Sequence, residues 1–165
     1  MGRRAFLERL ATALGALLAA AVGIPLIGAV VAPALRREEP HWIPVGSTVD
    51  FPVGQPRIVT FGINKVDGYS RTTLSRAIWV CRFPEDQIAV YNARCTHLGC
   101  LVSYRAESET FLSPCHGGIF ALRDGRVMEG PPPRPLDRLE HRIEGGQLVI
   151  LYQDFLVGTP ERVAI

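Results

Sequence analysis

Lysine is almost missing from this chain: Lys65 is the single example, so nearly all positive charge is arginine, and it is scattered rather than clustered. With a net charge of only +2, there is no basic stripe of the kind that neutralises a phosphate backbone, and nothing asks for a nucleic-acid partner. Charge is absent altogether from residues 10–35, a run of 26, longer than the roughly 20 residues a helix needs to cross a bilayer. Amphipathic helical periodicity is missing beyond residue 40, as are internal repeats, a nucleotide-binding loop and a nucleophile with its base. Independent substrate turnover is therefore not expected. At 165 residues the chain has room for one ordinary domain and an appendage.

The appendage comes first. Gly2-Arg3-Arg4-Ala5-Phe6-Leu7 resembles a twin-arginine export signal. The apolar run behind it exceeds the 7–15 residue core of a cleaved signal peptide, which favours an uncleaved single-pass anchor over residues 1–35. Gly15, Gly23, Pro25 and Gly28 are better tolerated in lipid than in water. Arg3, Arg4 and Arg9 before the span favour a cytoplasmic amino terminus and a head on the outer, periplasmic or extracytoplasmic side, a bias that Arg36 and Arg37 weaken. Residues 36–41 read as a charged, proline-ended tether, and residues 42–165 as the head.

The head reads as all-β. Short apolar or alternating runs recur at 41–45, 57–63, 77–83, 87–92, 101–105, 109–112, 119–122, 126–129, 139–143 and 147–152, separated by Gly, Pro, Asp and Asn. Such spacing suggests an antiparallel sandwich or small barrel. Cys81 lies in a strand pattern and reads as a buried structural thiol. His41 and His141 stand alone in strand-like segments, and Trp42 is expected at the edge of the head.

The chemistry is concentrated in two boxes, Cys95-Thr-His97-Leu-Gly-Cys100 and Ser113-Pro-Cys115-His116-Gly-Gly118. A thiol and an imidazole two positions apart on one turn, facing a second turn with Cys and His, form a donor set for a soft or borderline metal. CTHLGC, PCHG and the following GPPPRPLDR resemble the Rieske iron-sulfur family, in which two His replace two Cys on one iron of a [2Fe–2S] cluster. The resemblance spans roughly residues 42–157 and implies a β base domain with a smaller cluster-binding subdomain, about residues 94–135, inserted into it. Carried over by motif, it makes Cys95, His97, Ser113 and His116 the cofactor and metal positions and pairs Cys100 with Cys115 as a disulfide. An outer location is oxidising enough for that bridge.

One position departs from the family pattern, because relatives read CPCHG where this chain has SPCHG. A hydroxyl is a harder donor than a thiol and gives up its proton far less readily. Three readings stay open at this level: Ser113 binds iron as an alkoxide, Cys115 becomes the ligand and leaves Cys100 unpaired, or the fold persists without a complete cluster. High-potential relatives also carry hydroxyl donors at the positions of Gly118 and Phe120, so a lower potential and a menaquinol-type donor are expected.

The resemblance implies a one-electron carrier of a quinol to cytochrome c oxidoreductase complex, with a cytochrome b-type membrane subunit, a c-type cytochrome and membrane quinol as partners. His97 and His116 would form its electron and proton gate, because imidazole titrates near neutrality. Leu98 and Leu101 are candidates for an apolar docking rim or for the core. The residues 131–135 look like the family's proline loop, which covers the cluster, and residues 152–161 resemble the tails of bacterial Rieske subunits. Two other functions fit the sequence: the Rieske small subunit of an exported molybdenum oxidase such as arsenite oxidase, and a non-redox structural subunit, which could bind zinc through Cys95, His97, Cys115 and His116.

Overall fold

A computed structural model of the chain describes residues 2–35, 42–67 and 70–165. The expected tether and His41 lie outside the described residues. Residues 72–165, with 42–65, belong to one unit and the helical segment to another.

A single helix, α1, runs Arg3–Leu35. Its leucines, valines and isoleucines face outward along its described length, with Leu17 67%, Val22 66% and Ile24 71% exposed. Such a surface is incompatible with water and natural in hydrocarbon, so α1 is a membrane anchor long enough to span with tilt. Pro25 is carried inside it.

The head contains ten strands: β1 (Trp42–Ser47), β2 (Arg57–Asp67), β3 (Ser70–Arg82), β4 (Ile88–Asn92), β5 (Ser103–Arg105), β6 (Thr110–Ser113), β7 (Gly118–Ala121), β8 (Val127–Glu129), β9 (Glu140–Glu144) and β10 (Gln147–Leu151). They form three sheets, ordered β1-β10-β9, β2-β3-β4 and β5-β6-β7-β8. Eight of the ten lie within two residues of the segments expected from periodicity. The exceptions are β2 and β3, which run on through Asn64, Lys65, Asp67, Ser70, Arg71, Thr72 and Thr73. In the added stretches 64–67 and 70–76 only Val66 and Leu74 are apolar, too few for period-2 hydrophobicity to report them.

The two halves of the head share β3 and β4. Ile78 and Val80 on β3, with Ile88 and Val90 on β4, point into one core with Phe51, Leu139, Leu148 and Ile150. The alternate residues, Trp79 and Cys81 with Ala89 and Tyr91, point into a second core with Val102, Phe111, Phe120 and Leu136. Because successive side chains take opposite faces, one strand pair serves as the floor of both cores, which explains why β4 is buried along its whole length. The chain leaves β4, builds the sheet β5–β8 and returns through the proline loop to β9, so the subdomain is inserted between two strands of the base. Cys81 is 1% exposed, and burial pushes its thiol up to about 12, the behaviour of an inert structural cysteine.

Candidate metal centre

Each box is a turn closed in the same way. In the first, the Gly99 N–H donates to the Cys95 carbonyl at 2.9 Å, and the Cys95 N–H to the Cys100 carbonyl at 2.7 Å. In the second, which joins β6 to β7, the Gly117 N–H donates to the Ser113 carbonyl at 3.1 Å. Ser113 thus holds in box two the place Cys95 holds in box one. Both are sealed from solvent, at 1% and 2% exposure.

The two boxes are stapled to each other. Cys100 and Cys115 form a disulfide with Cα atoms 6.5 Å apart. This removes Cys115 as a thiolate ligand, and with it both the reading in which it replaces residue 113 and the zinc set that required it. Cys95 remains a free, buried thiol. The His97 and His116 rings meet edge to face, with centroids 4.8 Å apart at 87°.

Two polar atoms in this cluster are orphaned. His97 Nδ1 and Ser113 Oγ are buried without any hydrogen-bond partner. Leaving such groups unpaired costs about 1–3 kcal/mol each, so a native fold keeps them only where something else satisfies them. Among the described residues no three His, Cys, Asp or Glu side chains converge on one point. A two-iron centre needs no such convergence, since each iron takes only two protein side chains. Two imidazoles, one thiol and one hydroxyl, two of the four with orphaned buried atoms, fit that requirement.

A family model described as "Rieske [2Fe-2S] domain" matches residues 41–140. The chain belongs to the Rieske family. Its cofactor is accordingly a [2Fe–2S] cluster of the Rieske type. The iron-sulfur subunit of the cytochrome b6-f complex of Chlorobaculum tepidum is 32% identical over 152 residues, covering 90% of this chain and 74% of that protein. The menaquinol:cytochrome c reductase iron-sulfur subunit of Bacillus subtilis is 30% identical over 154 residues, 91% of each. Among solved structures, the plasma membrane Rieske protein of Synechocystis PCC 6803 aligns with a TM-score of 0.49 at 26% identity, over 66% of this chain and 97% of that one.

The surroundings of the Rieske boxes explain several sequence choices. The proline loop lies directly on box two: a Cβ at Gly118 would stand 2.7 Å from Pro132 Cγ, and one at Gly130 would stand 2.8 Å from the Gly117 carbonyl oxygen. Leu98 and Leu101 are 60% and 55% exposed, which rules out a core role for both.

The residues that periodicity and motif reading passed over form the back of the site. Thr96, fully buried between Cys95 and His97, donates through Oγ1 to the Arg134 carbonyl at 2.7 Å. The Arg134 guanidinium in turn grips Asp137, with both side chains 6% exposed. Arg94, next to Cys95, reaches Asp154 at 3.2 Å, and Arg76 reaches the same carboxylate at 2.8 Å. Burial alone would raise the Asp154 carboxyl, but the Tyr152 hydroxyl and the two guanidiniums outweigh it and hold it below the ordinary carboxylate range. An Arg three residues before an Asp inside a proline run was the visible signal for the first pair; nothing local signals the second.

Proposed function

We propose that this chain is the one-electron carrier subunit of a bc-type complex, passing electrons from a membrane quinol of the menaquinol type to a c-type cytochrome, beside a cytochrome b-type membrane subunit. The apolar anchor helix and the named roles of the relatives support this reading. The observation that carries it is the pairing of two imidazoles at a rim of exposed leucines with buried, unpartnered His97 Nδ1 and Ser113 Oγ behind them. In this reading Cys95, His97, Ser113 and His116 hold the cluster, and the head stands on the outer side of the membrane.

A bound [2Fe–2S] cluster supplies reversible one-electron acceptance. The protein's own part is to present the substrate and handle its proton. With His97 Nδ1 turned inward, Nε2 is the nitrogen left to accept a hydrogen bond from a quinol hydroxyl and then to hold its proton. Leu98 and Leu101 offer the quinol ring an apolar surface and keep water from that hydrogen bond. Neither Gly118 nor Phe120 carries a hydroxyl to donate toward a sulfur ligand, which favours a low potential and a menaquinol donor.

The test is iron and acid-labile sulfide content, with low-temperature magnetic resonance, on the full chain isolated from membranes as wild type, Ser113→Ala and Ser113→Cys. Two irons per chain are expected for wild type and Ser113→Cys, with retention weakened at least about tenfold in Ser113→Ala. Iron-free wild type overturns the redox reading; unchanged iron in Ser113→Ala removes Ser113 from the ligand set. Co-isolation with a molybdenum subunit instead of a haem b protein would move the chain to the exported-oxidase class.

A further inference from the structure

Beyond β10 the chain does not trail away. It folds on itself, with the Leu156 N–H donating to the Val163 carbonyl at 2.8 Å and the Ile165 N–H to the Asp154 carbonyl at 3.0 Å. Phe155 is plugged into the base core at 5% exposure, and the Arg162 guanidinium lies 4.2 Å above its ring. The turn of this hairpin touches box one: the Gly158 N–H donates to the Thr96 carbonyl at 2.8 Å. Gly158 has φ +77, and a Cβ there would stand 3.4 Å from the His97 carbonyl oxygen. The backbone therefore reaches box one only through a residue free to adopt that conformation.

One buried cation fastens the hairpin. Arg134 Nε and Nη2 donate to the two Asp137 carboxylate oxygens at 3.1 and 2.8 Å. Nη2 also donates to the Leu156 carbonyl at 2.9 Å. Nη1 donates to the Thr159 carbonyl at 2.7 Å, to Thr159 Oγ1 at 3.2 Å and to the Glu161 carbonyl at 3.3 Å. The contacts close a circuit: Thr96 Oγ1 to Arg134, Arg134 to the tail, and the tail, through Gly158, back to the Thr96 carbonyl. Thr96 is the residue between the thiol of Cys95 and the imidazole of His97, so whatever fixes its peptide fixes the spacing of both.

We infer that segment 154–165 is a strap that backs box one of the cluster-binding site, and that Arg134 is the positioning residue that fastens it there. A planar guanidinium with five donors can hold a carboxylate and three carbonyls at once; an ammonium, a compact point charge with three donors, cannot. A buried ion pair by itself is weak support for stability, and its net contribution is often near zero. Here the charge neutralised by Asp137 leaves the remaining donors to fix where the tail lies, and through it where Thr96 lies.

The experiment uses the full-length protein in detergent as wild type, Arg134→Lys and a variant ending at Leu156. Amide hydrogen exchange is followed in residues 95–99 and, as an internal control, in β10, and the midpoint potential of the iron-loaded protein is titrated. Loss of several charge-assisted bonds predicts about tenfold or greater acceleration at 95–99 in both variants with β10 unchanged. The potential is expected to shift in Arg134→Lys, a readout that general stability would not move. Exchange at 95–99 equal to wild type, a uniform rise throughout the head, or an unmoved potential overturns the strap. Iron-free wild type would count against the electron-carrier reading alone, and exchange would then decide the strap.

Discussion

Pro132 occupies the volume that any side chain on Gly118 would need, with its Cγ 2.7 Å from the site of the missing Cβ. The absence of a hydroxyl donor at this position is therefore tied to the way the proline loop closes over box two. We expect Gly118→Ser to lift the loop and cost about 1–3 kcal/mol, the usual range for forcing extra atoms into a packed site. Thermal melting of the purified protein would show it. A variant as stable as wild type with an undisturbed loop would mean that Pro132 yields easily.

The Cys100–Cys115 bridge closes a loop of 15 residues and joins the two boxes. Chain-entropy arguments assign such a loop about 3 kcal/mol. Reductant should lower the melting temperature of wild type to that of the Cys100→Ala/Cys115→Ala double variant, which should itself be indifferent to reductant. Equal melting of all samples would show that the bridge adds nothing to the fold.

Asp154 gathers Arg76, Arg94 and the Tyr152 hydroxyl beside box one. Its carboxyl lies below the ordinary carboxylate value in the folded protein, so its stabilisation is complete above about pH 4 and is lost as pH falls through the lower folded value. Asp154→Asn should cost about 2 kcal/mol at neutral pH and flatten the acid limb of the stability profile. Denaturant midpoints measured between pH 2 and 7 decide the matter; parallel profiles for variant and wild type would contradict it.

Side-chain identity made much of this molecule readable in advance. The two boxes combine residue types that few other tasks require together, and eight strands coincide with apolar or alternating runs set between turn residues. The far ends of β2 and β3 were illegible because their sequence is almost wholly polar and carries no period-2 pattern. Residues 152–161 were likewise legible only as a resemblance to known tails, because their work is done by the carbonyls of Leu156, Thr159 and Glu161 and the amide of Gly158, groups that most residues carry. The Arg134–Asp137 spacing was visible but its burial was not: a charged residue among prolines suggests solvent, and only the fold reveals a 6% exposed guanidinium.

The contact between Gly158 and Thr96 also has a consequence for the order of folding. It joins positions far apart in the chain, so it forms only after the whole intervening segment has been brought to closure, and it is expected among the later contacts made as the head folds.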